Sequence, residues 1–494
     1  MKKYLNIILI LLLVSCQNKN STISYPTSRM SDHVDSYFGQ EVSDPYRWME
    51  DDMAKETEEW VESQNEVTFK YLNQISYRKR LKNRIKKLND YEKLGAPFKE
   101  GKYEYFYKNS GLQNHSVVYR KEIDNSSSPE IFIDPNSFSD DGTVALRGIS
   151  FSKDGSLATY MITEGGSDWR KIIVIDAEKK SIIEDTLIDV KFSGVSWRGN
   201  QGFYYSSYPN PKNTSELSAK TQLHKLYYHK LGTPQTSDKL IYGGEKQPNR
   251  YISGYVTEDQ NFLVISASKT TSGNQLHILD LKKEKLVTIH KEYMNRLSVV
   301  HNEGNQFFIY TNIESPNGRV FSVNLNSPKK WNDIIPEKEN VLSASFGGGY
   351  LFASYLVDAK TEVEQLDLKG KLTRNIKLPG IGTASGFSAK KEDKDLYYSF
   401  RSFTFPSTIY NYKMTTGESE IYQSPSIDFN AGDYITKQIF FKSKDDTSIP
   451  MFITHKKDMA MNGTNPTILY GYGGFNISLT PSFSATNLVW LENG

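Results

Sequence analysis

The longest regular pattern in the chain runs from Pro97 to about residue 425, where short aromatic and β-branched runs alternate with polar turns. Such alternation is typical of β-strands that are buried on one face. Seven segments each contain two such runs around a polar turn: PFKEGKYEYFY, SFSKDGSLATYMI, VSWRGNQGFYYS, GYVTEDQNFLVIS, VVHNEGNQFFIYT, SASFGGGYLFASYL and GFSAKKEDKDLYYSF. Each is followed by one further strand-like run: VVYRKEID, IIVIDAEK, LYYHKLGT, LHILDLKK, VFSVNLNS, VEQLDLKG and IYNYKMTTGE.

These seven units recur at a spacing of roughly 40–50 residues, which is the period of a four-stranded β-propeller blade. The pattern therefore predicts a seven-bladed β-propeller. The units share pattern more than identity, so an irregular all-β sandwich stays open as the alternative.

The segment before the repeats has a helical pattern. Residues 54–89 are rich in Glu, Lys, Gln and Arg, with apolar residues at helical spacing, and they predict two helices divided near Ser76. The basic run from Arg78 to Lys87 is interpreted as a solvated helix face, with a membrane or partner contact as the alternative.

The pattern changes again after the repeats. Apolar runs at 438–443 and 449–454 flank the polar turn 444–447 and predict a hairpin. A run of β-formers from Thr467 to Tyr470 leads into closely spaced glycines, which predicts a buried strand ending in a tight turn. Tyr472 and Phe475 would project from that turn. An ordinary strand-to-loop corner is the alternative.

Composition narrows the possible functions. With 494 residues the chain is expected to form two or more domains, and a formal net charge of +2 provides no field that would attract nucleic acid. Cys16 is the only cysteine, which excludes an intramolecular disulfide or a Cys-based zinc site. The sequence contains no H-E-x-x-H motif and no dinucleotide-binding glycine pattern, so we expect no metal and no cofactor.

The N-terminus has the pattern of a targeting segment. Lys2 and Lys3 precede an apolar run from Leu5 to Val14 that is too short to span a bilayer. With Cys16 following, it resembles a bacterial lipoprotein signal. That resemblance implies a signal peptide at 1–15, a lipid on Cys16, a tether at 16–24 and a periplasm-facing location in the cell envelope. An ordinary secretory peptide is the alternative.

Several motifs in order resemble the prolyl oligopeptidase family. They include YPTSR from Tyr25, VDSYFG, DPYRWMED, KFSGVSW, SIPMFI and YGYGGFN. The resemblance implies a mostly β fold with a seven-bladed β-propeller (93–428) inserted in an α/β-hydrolase domain. Only the N-terminal helical piece (25–92) and the first strands (429–494) of that domain would be present. The implied activity is cleavage of short proline-containing peptides after proline by a monomeric serine peptidase.

The same resemblance assigns site residues. The Tyr472 hydroxyl would donate to the oxyanion, Phe475 would stack on the substrate proline, and Phe192 would face the substrate cavity, with a blade-core position as the alternative for Phe192. The sequence contains no G-x-S-x-G motif, so the catalytic Ser, Asp and His are not assigned within the 494 residues. We expect the chain to be a truncated peptidase that is inactive alone. The competing hypothesis is a noncatalytic propeller lipoprotein that binds a peptide or protein partner.

Overall fold

The computed structural model describes residues 23–124, 128–209 and 221–494. The chain divides into two compact units, residues 1–80 and 81–494. Cys16 and the predicted signal peptide lie outside the described residues. No helix in the described part of the chain is both long enough and apolar enough to cross a membrane.

The first unit contains a small hairpin and a long helix. Strands β1 (Val34–Tyr37) and β2 (Gln40–Ser43) pair antiparallel, and helix α1 covers Lys55–Leu72. Helix α2 (Arg78–Asn89) begins at the end of this unit. The prediction of two helices divided near Ser76 is therefore confirmed. Short 3-10 turns occur at Arg47–Glu50, Pro135–Ser137, Gln235–Ser237, Gly244–Lys246 and Ala431–Asp433.

The second unit is built mainly from antiparallel sheets of consecutive strands. The first is a five-stranded sheet of β3 (Lys93–Leu94), β4 (Phe98–Glu100), β5 (Tyr103–Asn109), β6 (Val117–Glu122) and β7 (Glu130–Ile133). The next is a nine-stranded sheet of β8 (Ala145–Phe151), β9 (Leu157–Thr163), β10 (Trp169–Asp176), β11 (Ser181–Ile182), β12 (Leu187–Lys191), β13 (Ser196–Arg198), β14 (Gly202–Ser207), β15 (Lys225–Lys230) and β16 (Lys239–Gly243).

Four four-stranded sheets follow. They are β17 (Tyr251–Val256), β18 (Phe262–Ser268), β19 (Gln275–Asp280) and β20 (Lys285–His290); β21 (Leu297–Glu303), β22 (Gln306–Thr311), β23 (Arg319–Asn324) and β24 (Trp331–Ile335); β25 (Val341–Gly347), β26 (Tyr350–Val357), β27 (Lys360–Leu366) and β28 (Leu372–Ile376); and β29 (Thr383–Ser385), β30 (Asp395–Arg401), β31 (Thr408–Lys413) and β32 (Ser419–Gln423).

Apolar clusters join each group of strands to the next. One cluster packs the five-stranded sheet against β9 and β10, and another packs β10 and β12 against β13 and β14. Four more continue the series through β17–β20, β21–β24 and β25–β28 to β29–β32. Sheets of consecutive strands packed face to face in chain order form a β-propeller, which confirms that prediction. Five blades stand as separate sheets, and the count of seven stays a prediction.

Polar side chains join the first and last sheets of the series. Lys390, before β30, donates to the Lys99 carbonyl oxygen at 2.8 Å and to the Glu100 carboxylate at 2.8 Å. No strand pairing and no buried apolar cluster connects these two sheets within the described residues. The seam between them therefore differs from every other junction in the series.

The predicted hairpin after the propeller is confirmed. Strands β33 (Tyr434–Lys442) and β34 (Ser448–Lys456) pair antiparallel. Asp446 in their turn has φ +64°, a left-handed geometry that Asp tolerates. Helix α3 (Ala485–Glu492) packs Leu488 and Val489 against Leu88 of α2.

The predicted buried strand at Thr467–Tyr470 is wrong. This segment forms no strand, and Ile468, Leu469 and Tyr470 are 63%, 82% and 73% exposed. A β-strand needs a hydrogen-bonding partner along its edge, and β33 and β34 pair only with each other among the described strands. The run has a high β-propensity, but the described residues provide no sheet edge with which it pairs.

Candidate functional site

The glycine-rich turn predicted at the end of the chain is present. The Ile477 N–H donates to the Gly474 carbonyl oxygen at 3.1 Å, which closes a four-residue turn. The two central residues, Phe475 and Asn476, have φ +54° and φ +56°. Positive φ at both central positions defines a type I′ turn, which is unusual for a bulky aromatic residue.

The turn leaves the two predicted site residues accessible. Phe475 is 90% exposed and Tyr472 is 50% exposed. Residues 473–478 line a wide-open surface hollow. The Tyr472 hydroxyl has no hydrogen-bond partner among the described residues, so it is available to a bound group. A phenol suits the predicted task because it donates a hydrogen bond while staying protonated at neutral pH.

Phe192 lies elsewhere in the unit, directly after β12. Its ring is 43% exposed and belongs to none of the buried clusters, so the blade-core alternative does not describe it. The ring meets Tyr251 edge-on at 5.7 Å and Tyr208 edge-on at 6.4 Å. Edge-to-face pairs at these distances are favourable. The three rings form an aromatic cluster in which Phe192 and Tyr251 are exposed and Tyr208 is buried.

A buried histidine fixes the backbone beside Phe192. His224 is fully buried, accepts a hydrogen bond at Nδ1 from the Ile252 N–H at 2.9 Å, and donates from Nε2 to the Lys191 carbonyl oxygen at 3.0 Å. Burial lowers the pKa of His224 to about 4, so the ring is neutral, as this donor–acceptor pattern requires. Tyr208 stacks on the imidazole with 4.1 Å between ring centroids. The position of Phe192 is therefore set by a rigid support.

The structure brings only some of the predicted residues together. Tyr472 lies two positions before the turn that contains Phe475, whereas Phe192 contacts Tyr208 and Tyr251. No ring contact joins Phe192 to Phe475 in the described part of the chain. No group of three metal-ligating side chains occurs among the described residues.

Sequence reasoning missed the supporting residues. His224 and Tyr251 lie 32 and 59 positions after Phe192 in the printed sequence, so no local pattern connects them to it. Lys191 was visible within the KFSGVSW motif, but nothing in the motif indicates that this lysine is buried.

Comparisons with known proteins agree with this architecture. A family profile described as "Prolyl oligopeptidase, N-terminal beta-propeller domain" matches residues 25–425. The prolyl endopeptidase of Elizabethkingia miricola is 51% identical over 484 residues, covering 97% of this chain and 68% of that protein. Prolyl oligopeptidase A of Galerina marginata is 33% identical and covers 95% of this chain and 69% of that protein.

A solved structure is also similar. It comes from a structural and mechanistic analysis of two prolyl endopeptidases and of their inter-domain dynamics. It superposes with a TM-score of 0.88 at 31% identity, covering 95% of this chain and 70% of that one. The chain forms a series of propeller sheets, the family profile matches its residues 25–425, and its sequence is 51% identical to that of a prolyl endopeptidase. It therefore belongs to the prolyl oligopeptidase family.

Proposed function

We propose that this chain functions as part of a serine-type endopeptidase that cleaves short peptides on the C-terminal side of proline. The observation that carries the proposal is the 51% identity over 484 residues to a prolyl endopeptidase. Identity at that level over nearly the whole chain reaches beyond the propeller, which ends at β32, into the hairpin β33–β34 and the segment that follows.

The architecture we propose is a seven-bladed propeller within an α/β-hydrolase domain. In support, the two halves of the nine-stranded sheet, β8–β12 and β13–β16, are paired as strands at a single position, Val190 with Ser207. A buried cluster packs one half against the other, as between the separate sheets. Counting the halves as two blades beside the five separate ones gives seven. The hairpin β33–β34 and helix α3 would be the first elements of the C-terminal part of the hydrolase domain.

Tyr472 is proposed as one donor of the oxyanion hole. In acyl transfer the negative charge on the tetrahedral intermediate is stabilised by fixed donors, and an α/β-hydrolase takes one of them from a loop after an early strand. Tyr472 follows β34 in the chain, and its hydroxyl has no hydrogen-bond partner among the described residues, which supports this role. Phe475 would stack on the substrate proline, and the exposed ring of Phe192 would contact a neighbouring substrate residue.

The nucleophile is proposed to lie outside these 494 residues. They contain no G-x-S-x-G motif, and the chain spans 68% of the Elizabethkingia miricola enzyme. A donor without a nucleophile cannot form an acyl-enzyme. We therefore expect the purified 494-residue chain alone not to hydrolyse a Gly-Pro amide. Turnover that a serine-reactive inhibitor abolishes would contradict this assignment.

The test of Tyr472 uses a chimera in which these residues are followed by the remaining segment of the Elizabethkingia miricola enzyme. We expect the chimera to cleave a chromogenic Gly-Pro amide. Tyr472→Phe should lower kcat about 10²- to 10³-fold with little change in KM, because an oxyanion donor acts in the transition state.

Tyr470→Phe is the matched control. It removes the same hydroxyl from an exposed tyrosine two positions earlier and should leave kcat near the value of the unmodified chimera. Equal kcat values for the two variants would refute the role of Tyr472. A chimera that folds but cleaves no proline peptide would refute the proposed function.

We also propose that the chain is lipid-anchored through Cys16 and faces the periplasm. Support comes from the sequence alone: Lys2 and Lys3, the apolar run from Leu5 to Val14, and a cysteine two positions after that run. Acylation would tether the protein to a membrane without a spanning helix.

A further inference from the structure

Lys191, at the end of β12, is a buried cation without an ionic partner. Only 8% of the residue is exposed, and no carboxylate pairs with its ammonium group in the described part of the chain. Its Nζ makes no hydrogen bond to the described residues. Burying an unpaired charge is costly, and such residues are rare unless something binds them.

Two aromatic rings flank the ammonium group. Its Nζ lies 5.0 Å from the centroid of Trp169 and 5.3 Å from that of Phe192. The ring faces attract the positive charge electrostatically. Neither provides an oxygen or nitrogen acceptor, so the hydrogen-bonding capacity of the ammonium group, which has three donors, is left for another group.

The backbone around Lys191 is held in an unusual shape. Asp189 and Phe192 both have left-handed backbones, with φ +61° and φ +51°. The Ser207 hydroxyl donates to the Asp189 carbonyl oxygen at 2.6 Å, and His224 donates to that of Lys191. Residues in sparsely populated conformations persist only where their surroundings fix them, and they concentrate at functional sites. The segment therefore presents Lys191 and Phe192 as one preorganised pair.

We propose that Lys191 recognises a carboxylate of the bound peptide, and that the site formed with Phe192 prefers substrates carrying an acidic side chain on the N-terminal side of proline. The inference rests on the proposed function, because it places the substrate peptide at Phe192. Lysine acts as a compact point charge that suits a single carboxylate. Because Lys191 is buried, its ammonium group can be reached by a slender acidic side chain more readily than by a broad charged surface.

The experiment measures binding of two fluorescent peptides to the 494-residue chain. They have the sequences Glu-Gly-Pro-Gly and Gln-Gly-Pro-Gly, so they differ only in one charge. We expect the glutamate peptide to bind about ten- to a hundredfold more tightly, as is typical of a hydrogen bond between charged groups in a partly buried site. The difference should shrink as salt is added.

Two lysine variants distinguish an effect of Lys191 itself from an effect of the overall charge of the protein. Lys191→Met keeps the aliphatic stem and should bring the two affinities together. Lys171→Met is the matched control, because Lys171 lies on neighbouring β10 and pairs with Glu164 at 2.6 Å. It removes the same charge and should preserve the preference. Phe192→Ala should lower the affinity for both peptides by a similar factor.

The outcomes are distinguishable. Equal affinities of the two peptides for the unmodified chain would overturn the role of Lys191 and leave the proposed function standing. A preference that survives Lys191→Met, or that Lys171→Met also abolishes, would overturn it too. Failure of both peptides to bind the unmodified chain would count against the placement of the substrate at Phe192 and would overturn this inference with it.

Discussion

His229 on β15 is a buried histidine held between two carboxylates. Its Nδ1 lies 2.7 Å from Asp238, and its Nε2 lies 3.0 Å from Glu184. The side chains of His229 and Asp238 are 2% exposed and that of Glu184 is 11% exposed. The Tyr205 hydroxyl also donates to Asp238 at 2.7 Å. Both ring nitrogens face acceptors, so the arrangement suits the doubly protonated imidazolium.

The energetic consequence can be worked from these contacts. Burial alone would lower the pKa of His229, but hydrogen bonds to Asp238 and Glu184 and their negative charges outweigh it and raise the pKa to about 9. Against the ordinary value of 6.5, this corresponds to roughly 3 kcal/mol of stability. Because the folded-state pKa is raised, this stability is fully present below about pH 6.5 and is lost as the pH rises through about 9.

The assay is denaturant unfolding, followed by tryptophan fluorescence at pH 6 and at pH 10. His229→Gln should reduce the free energy of unfolding at pH 6 by roughly 3 kcal/mol more than it does at pH 10. His224→Gln is the control. Since burial lowers the pKa of His224 to about 4, that ring is neutral at both pH values, and its loss should cost the same at each.

The comparison between variants removes the contribution of groups that titrate in all of them. A cost of His229→Gln that is equal at pH 6 and pH 10, within about 0.5 kcal/mol, would refute the charged-histidine argument. A cost that grows toward pH 10 would show that the sign of the pKa shift is wrong.

Two further predictions concern the turns and the lipid anchor. Gly155→Ala should be destabilising by at least about 2 kcal/mol more than Gly165→Ala, because a Cβ at Gly155 would meet the Gly101 backbone nitrogen at 2.4 Å, whereas one at Gly165 meets nothing within 4 Å. Both glycines have positive φ, so the shared conformational cost cancels in the comparison of urea midpoints, and equal midpoints would contradict the contact. Cys16→Ser should abolish incorporation of labelled palmitate in a bacterial host, and undiminished labelling would exclude lipidation at that residue.

Local periodicity predicted most of the propeller strands. Six of the seven predicted segments each fall on two consecutive strands of the structure, as PFKEGKYEYFY does on β4 and β5, because these strands are buried and their side chains alternate. The seventh, GFSAKKEDKDLYYSF, begins after β29 and covers only β30. The outermost strands were not located. In β28 and β32 most residues are exposed, and in β20 half of them are, so their sequences carry little apolar alternation.

The site was predicted less completely than the fold. The turn beside Tyr472 follows from glycine spacing, which is local. The strand at Thr467–Tyr470 was predicted wrongly because propensity cannot supply a partner strand. The buried charges of Lys191 and His229 depend on residues from other strands, and no window of sequence contains them.

The polar seam between the first and last sheets has a consequence for the order of folding. Lys390 and Glu100 are separated by 290 positions, whereas each hairpin of the propeller pairs residues close in sequence. Contacts that close a long loop cost more chain entropy than local contacts do, and they form slowly. The ion pair of Lys390 and Glu100 is partly exposed to solvent, so it offsets little of that cost. We therefore expect the ring to close last during folding, and hydrogen exchange of the first and last sheets to be the earliest sign of its opening.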